Sequence, residues 1–232
     1  VGFSVFIWSV ELTGRVIDQL AAAGHEQPLI VCGGSGLTAN CDSFLQRHGS
    51  IRAVAHGAGE QTLVELVLHL LDGRSPDALD AICGITFRDR HNCLQSTPPR
   101  RANLSLSALQ SPYLAGWHDE FRIGMLLETD RHCPCRCSYC TWAAHSRLSD
   151  DTRFSLKQVH ADLAWAEARL IRDVTFLDAA VNYDTRRFVS LLDVMERVQA
   201  KRSETHYFVF LKYDFINETQ LRRLQSFGRS LM

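Results

Sequence analysis

Three cysteines, Cys133, Cys137 and Cys140, stand close together near the middle of the sequence with the spacing C-x3-C-x2-C. Thiolates are soft ligands that suit iron–sulfur clusters and zinc, and an all-cysteine cubane cluster normally takes four of them. Three thiolates on one tight loop would therefore leave one iron without a protein ligand. An open metal position can take a substrate or cofactor, whereas structural metal sites are closed. The spacing predicts a metal centre that performs chemistry.

A closed zinc site is the alternative, because Cys135 lies in the same stretch and gives four thiols in all. Zinc sites of four thiolates usually draw their ligands from two separated pairs, and ligands packed this closely would strain a tetrahedral site. The preceding residues favour the cluster, since 122–129 reads as a short apolar strand that runs into the cysteines. Parallel barrels carry their chemistry at the C-terminal ends of their strands.

The spacing, with the aromatic Tyr139 just before the last cysteine, resembles the signature of the radical S-adenosylmethionine superfamily. The resemblance implies a 4Fe–4S cluster on Cys133, Cys137 and Cys140, whose open iron chelates the amino and carboxylate groups of S-adenosylmethionine. It implies reductive cleavage of the sulfonium to a 5′-deoxyadenosyl radical, with Tyr139 flanking the adenine. It also implies an electron donor such as flavodoxin or ferredoxin.

Composition limits the other possibilities. With 232 residues, 46% of them apolar and 22% charged, the chain can form one large domain or two modest ones. A net charge of −1 predicts neither a nucleic-acid partner nor binding to an anionic membrane, and the sequence lacks an apolar run long enough for a membrane span. Of the eight cysteines, four are clustered and four are scattered, which favours a reducing cytoplasm over a disulfide scaffold.

The first half alternates between strand and helix patterns. Apolar strands are predicted at 1–8, 28–34 and 53–57, and helices at 12–23, 42–48 and 61–71. Such alternation indicates an α/β fold with a doubly wound parallel sheet. Ligands of these sheets bind beyond the carboxyl ends of the strands, so the loops at those ends are the candidate binding residues.

Those loops are rich in glycine, which lets a backbone approach a bulky ligand closely, although each glycine alone is equally explained by a tight turn. Together they resemble the cobalamin-binding domain that precedes the radical domain in a large subfamily, with Ser4-x-Phe6 in place of Ser-x-Leu and a glycine pair after it. The resemblance implies that cobalamin is bound by Ser4, Gly33, Gly34, Gly57, Gly59 and Glu60. The family element Asp-x-His-x-x-Gly, which supplies a cobalt ligand in some members, would precede Ser4.

We expect three regions along the chain. Residues 1–82 form the C-terminal part of a cobalamin-binding-like domain, 83–118 form a linker marked by Pro98-Pro99 and Ser111-Pro112-Tyr113, and 119–232 begin a radical S-adenosylmethionine barrel. The last region reads as three strand–helix units, the first half of a partial (β/α)6 barrel. We therefore expect a fragment of a longer protein.

The loop after the second barrel strand holds Asp178 and Asn182. By resemblance, polar groups at this point meet the amino end of S-adenosylmethionine, which makes both residues candidate ligands. A helix cap or solvated strand end explains Asp178 equally well. Lys212 and Asp214, after the third strand, are further candidates.

The leading hypothesis is a radical S-adenosylmethionine enzyme that uses cobalamin to methylate an unactivated carbon of a small molecule or peptide. One alternative is a rearrangement, cyclisation or oxidation on the same scaffold without methylation. The other is a truncated remnant that binds metal without catalysis.

Overall fold

We describe the chain from a computed structural model. It describes residues 1–23, 29–38, 40–100, 105–117, 124–131, 133–135, 137–140, 152–201, 204–228 and 231. The chain divides into two compact units, Val1–Arg101 and Ala102–Met232. Within the described ranges, we find no helix that is long and apolar enough to cross a membrane.

The first unit is built on a five-stranded sheet in the order β1-β2-β3-β4-β5. Its strands are β1 (Gly2–Ser4), β2 (Ile30–Gly33), β3 (Ile51–Ala55), β4 (Ile85–Arg88) and β5 (Leu94–Ser96). Its helices are α1 (Val10–Ala22), α2 (Cys41–Arg47) and α3 (Glu60–Leu71). The first three strands run parallel, as strand–helix alternation predicts.

Alternate residues of β2 and β3 face two separate hydrophobic cores, because successive side chains of a strand point to opposite faces. On one face, Ile17 of α1 and Phe44 of α2 pack against Ile30. On the other face, Leu66 of α3 packs in a cluster with Ala53. Helices therefore cover both faces of the parallel strands, which confirms the α/β class.

The strands β4 and β5 differ from the predicted parallel arrangement, because β4 runs antiparallel to β3 and β5 antiparallel to β4. A short turn in which Asn92 adopts a positive φ of 61° joins these two strands. So short a turn can join only antiparallel strands, since a parallel pair needs a long crossover. Residues 85–96 thus belong to the first sheet rather than to the linker that we predicted at 83–118.

The second unit has a parallel sheet in the order β6-β7-β8. Its strands are β6 (Gly124–Leu127), β7 (Asp173–Phe176) and β8 (His206–Phe208), and its helices are α4 (Leu156–Ala168), α5 (Thr185–Lys201) and α6 (Glu218–Ser226). One core packs Met125, Val174 and Tyr207 of the strands against the helices. The three predicted strand–helix units are present in the predicted order.

Two of these helices begin at side-chain caps of the kind that Ser-x-x-Gln and Asn-x-x-Gln sequences favour. The Ser155 side chain accepts a hydrogen bond from the Gln158 backbone, and Asn217 forms a full capping box with Gln220. The Gln158 side chain instead donates to the carbonyl oxygen of Leu109 at 3.2 Å. The capping box of α4 is therefore only half formed: Ser155 caps the helix, whereas the Gln158 side chain binds a neighbouring segment.

That neighbouring segment, residues 105–117, packs on the second unit. Ser111 donates to the buried carboxylate of Asp162 on α4, and the Tyr113 hydroxyl donates to Leu126 O at 2.7 Å and accepts from Leu126 N at 3.1 Å. Tyr113 thus satisfies both backbone groups of Leu126. The latter half of the predicted linker is part of the second unit, and the division falls at 101/102, within the stretch that we predicted as the linker.

Gly34 lies where the loops after β1 and β2 meet. Val5 N donates to Gly33 O at 2.7 Å, and Gly36 N donates to Val5 O at 3.0 Å. A Cβ on Gly34 would lie within 2.4 Å of Val5 O, and its φ of +116° is a conformation that glycine tolerates best. The close approach that Gly34 permits is therefore to the backbone of the chain itself.

We expect Gly34→Ala to destabilise the first unit by at least about 2 kcal/mol, because it combines backbone strain with a collision against rigid backbone. Urea unfolding followed by circular dichroism measures this as a lower midpoint. Gly49→Ala is the matched control, since a Cβ there meets nothing within 4 Å. Equal midpoints for the two variants would contradict the prediction.

Candidate functional site

We use the name thiol loop for residues 130–153, which follow β6 and carry the four clustered cysteines; of these, the structure describes 130, 131, 133–135, 137–140, 152 and 153. None of the four cysteines forms a disulfide bond, and Cys140 N donates to Cys137 O at 3.0 Å in a turn. Burial raises the pKa of the Cys133 thiol, and the negative charges of Cys135 and Cys140 raise it further. The loop therefore brings several thiols within electrostatic range of one another, an arrangement that a bound cation would relieve.

The described side chains include no group of three His, Cys, Asp or Glu residues converged closely enough to hold an ion. The fit to a cluster rests on the donors, which are cysteine thiols outside any disulfide, close together in the chain after a strand end. Tyr139 is 89% exposed on this loop, and the nearby Cys137 raises the pKa of its phenol.

Asp178 follows β7 and contacts Thr129, the residue directly before the thiol loop. Its two carboxylate oxygens accept hydrogen bonds from Thr129, one from the backbone N at 3.0 Å and one from Oγ1 at 2.6 Å. The side chain is only 1% exposed, and burial raises the pKa of Asp178 to about 6. Asp178 therefore fixes the end of β6, and its contact with a ligand stays a prediction.

Asn182 binds the backbone after β8. Its Nδ2 donates to Lys212 O and its Oδ1 accepts from Lys212 N, each at 2.8 Å, and it is fully buried. Both ends of the amide are thus used within the protein. Asn182 therefore joins the loop after β7 to the backbone after β8, and its contact with S-adenosylmethionine stays a prediction.

Lys212 and Asp214, the further candidates, form an ion pair with Nζ–Oδ2 at 2.8 Å. The hydrogen bond to Asp214 raises the pKa of Lys212, and the negative charge of Cys135 adds to this rise, so the Lys212 charge reaches the thiol loop. The structure therefore places a cation near the loop thiols, as expected for a site that gathers negative charge.

The two ends of the thiol loop lie side by side, which the sequence did not indicate. We call residues 129–131 and 152–154 the loop root. Arg131 N donates to Thr152 O at 2.9 Å, and Phe154 N donates to Thr129 O at 3.1 Å. Arg187 of α5 donates to Thr129 O at 2.9 Å and to Phe154 O at 2.8 Å, so it binds both ends.

Sequence reasoning missed Arg187, because an arginine on a helix usually reads as a solvated residue. The available signal was its position in the first turn of α5, after the loop that carries Asp178 and Asn182. Side chains in this first turn lie near the carboxyl ends of the strands, where the loop root also lies.

In the first unit, the predicted cobalamin residues lie at the carboxyl ends of three adjacent parallel strands. Ser4 is the register partner of Gly33 across β1 and β2, and Gly57 follows β3 with a φ of +72°. Gly59 is the N-terminal cap of α3, which begins at Glu60. A Cβ on Gly57 or Gly59 would meet nothing within 4 Å, so this loop has open space in front of it.

Two further features lie at this edge. Phe6 and Trp8 stack with ring centroids 5.0 Å apart, and Trp8 is 80% exposed. A cavity of about 430 Å³ is lined by residues that include Thr38, Asn40 and His56. An apolar platform and a polar cavity at the strand ends fit a large amphipathic ligand.

We expect the stability difference between the wild-type protein and Asp178→Asn to depend on pH. Because the folded pKa is raised above the unfolded value, the stability contribution of Asp178 is fully present below about pH 4 and is lost as pH rises through about 6. The difference should change by roughly 2 to 3 kcal/mol between pH 4 and 7, measured by urea unfolding. Asp80→Asn, at an exposed carboxyl, is the control, and parallel pH profiles for the two variants would contradict the assignment.

Comparison with known proteins gives consistent relatives. No protein-family model matches the chain. A 2-(S-pantetheinyl)-carbapenam-3-carboxylate methyltransferase of Streptantibioticus cattleyicolor is 25% identical over 185 residues, which cover 76% of this chain and 26% of that protein. The cobalamin-dependent radical SAM methyltransferase TokK of Streptomyces tokunonensis gives the same values. The chain thus spans about a quarter of the length of these curated relatives.

Among solved structures, the cobalamin-dependent S-adenosylmethionine radical enzyme OxsB, with aqua-cobalamin and S-adenosylmethionine bound, superposes with a TM-score of 0.68. The match covers 97% of this chain and 32% of that one at 19% identity, so it establishes the fold alone. The chain is therefore similar in sequence to a cobalamin-dependent radical SAM methyltransferase and similar in fold to a cobalamin-dependent S-adenosylmethionine radical enzyme.

Proposed function

We propose that the chain is part of a radical S-adenosylmethionine enzyme that transfers a methyl group with the help of cobalamin. The observation that carries the proposal is the C-x3-C-x2-C spacing of Cys133, Cys137 and Cys140 after β6, where none of the three forms a disulfide. The parallel strand–helix order of the second unit supports it, since such sheets bind ligands at the carboxyl ends of their strands.

Cys133, Cys137 and Cys140 would hold a 4Fe–4S cluster, and Cys135 would remain outside it. When bound, the cluster supplies the electron that cleaves S-adenosylmethionine to a 5′-deoxyadenosyl radical, and the protein positions and shields the reactants. Tyr139, exposed on the same loop, would contact the adenine. Lys212 would offset part of the negative charge that the thiolates bring to this edge.

Asp178 would act near the amino group of S-adenosylmethionine. Its carboxylate oxygens accept from Thr129, yet a carboxylate has about four acceptor sites, so two remain available. Asn182 uses one N–H donor and one acceptor site of its oxygen on Lys212, and its amide keeps one further N–H and one further acceptor site with which it would contact the ligand.

In the first unit, cobalamin would be held by Ser4, Gly33, Gly34, Gly57, Gly59 and Glu60. Bound cobalamin would supply the methyl carrier, and the glycine backbone would line its nucleotide tail. The open space at Gly57 and Gly59 supports this placement, whereas Gly34 contributes by letting the Val5 loop pack closely.

The substrate we propose is a small molecule or peptide with an unactivated carbon, from which hydrogen is removed and to which a methyl group is added. The partner would be a one-electron donor such as flavodoxin or ferredoxin, in the cytoplasm. The alternatives, a radical reaction without methylation and a closed zinc site without catalysis, are outcomes of the following experiments.

Anaerobic reconstitution with iron and sulfide, followed by chemical reduction, should give a cubane electron paramagnetic resonance signal that changes on addition of S-adenosylmethionine. Cys137→Ala should abolish the signal, because it removes one of three ligands. Cys135→Ala is the matched control in the same loop and should retain it. Stoichiometric zinc that is lost in Cys135→Ala would establish the closed site instead, and a cluster insensitive to S-adenosylmethionine would refute the cofactor.

Aquacobalamin binding should be detectable by its visible absorption, and Gly59→Leu should weaken it at least about tenfold by filling open space where the cofactor lies. Gly49→Leu is the control, because Gly49 precedes β3, at the opposite edge of the sheet, and is equally open. Equal affinities for the two variants, or none in the wild-type chain, would argue against cobalamin in this unit and favour radical chemistry without methylation.

A further inference from the structure

The loop root is joined by side chains as well as by backbone. Asp130 and Arg153, one from each end of the thiol loop, form an isolated antiparallel bridge. Arg153 Nε donates to Asp130 Oδ2 at 2.9 Å, and the Asp130 side chain is only 4% exposed. Asp130 is separated from Cys133 by two residues. This short spacer limits the distance between the ion pair and the first thiol of the loop.

A third group, from another element, contacts both partners of that ion pair. Tyr183 lies between β7 and α5, and its hydroxyl donates to the Asp130 carboxylate. The same oxygen accepts from Arg153 Nη2 at 2.9 Å and from Nε at 3.2 Å. One hydroxyl therefore bonds simultaneously to the two ends of the thiol loop.

The surrounding charges hold this arrangement in one orientation. Arg153 Nη1 donates to Asp184 Oδ2 at 2.9 Å, and the guanidinium lies 5.2 Å from the centre of the Tyr183 ring. Hydrogen bonds to ionised groups are short and strong, and they are directional. The hydroxyl thus adds to the backbone bonds of the loop root in opposing movement of one end of the loop along the other.

We propose that Tyr183 is a positioning residue for the thiol loop, and that its hydroxyl locks Asp130 and Arg153 so that Cys133 is held in register with the other thiols. The inference rests on the proposed function, since it assigns Tyr183 a role in holding the cluster ligands. Groups that orient metal ligands without touching the metal typically change metal affinity by 10- to 100-fold when they are removed.

The test replaces Tyr183 by Phe, which keeps the ring and its contact with Arg153 and removes only the hydroxyl. In the reconstituted full chain, we expect Tyr183→Phe to lose iron to a chelator about tenfold faster than the wild type. We also expect a broadened resonance signal with a smaller response to S-adenosylmethionine. Tyr113→Phe is the matched control, because it also removes a bonded hydroxyl from the second unit, at Leu126 rather than at the loop root.

Iron loss and spectra that are the same for Tyr183→Phe and Tyr113→Phe would overturn the inference. If the wild-type chain takes up no cluster, the proposed function fails, and alkylation of the apoprotein then tests Tyr183 separately. Mass spectrometry should show Cys133 alkylated at least about threefold faster in Tyr183→Phe, because the loop root is looser. An unchanged rate in that experiment would equally overturn the role of Tyr183.

Discussion

The buried contact between Asp178 and Thr129 is the interaction on which the second unit depends most. A carboxylate with 1% exposure needs hydrogen-bond partners, and both of its oxygens accept from one residue at the end of β6. Because that residue begins the loop root, the strand end and the thiol loop are held by the same side chain. Asn182 does the equivalent for the backbone after β8 through two bonds to Lys212.

The two units position their strand-end loops by different means. In the first unit, backbone hydrogen bonds join the loops after β1 and β2, and Gly34 makes this contact sterically possible. In the second unit, charged and amide side chains join the loops, as Asp178 and Asn182 show. In the first unit, side chains such as Phe6 and Trp8 stay exposed at the strand ends. In the second unit, the polar side chains Asp178 and Asn182 are buried and held by hydrogen bonds.

The second sheet also has two different edges. At β6, the Tyr113 hydroxyl satisfies both backbone groups of Leu126, which a neighbouring strand would otherwise pair. At β8, Leu231 forms a parallel bridge with Tyr207, so pairing continues on that side. Further strand pairing is therefore possible beside β8, whereas Tyr113 occupies the outer side of β6. This is consistent with the partial barrel that the sequence resemblance implied.

The sequence by itself determined the thiol spacing, the strand–helix order and the caps at Ser155 and Asn217, because each depends on residues close together in the chain. It could not determine that β4 runs antiparallel to β3, since strand direction depends on how distant segments pack. Nor could it assign Tyr183 to the loop root. Only the tertiary structure brings Tyr183 to Asp130 and Arg153, because hydrogen bonds between residues far apart in sequence exist only once the β7 and β6 ends share one edge of the sheet.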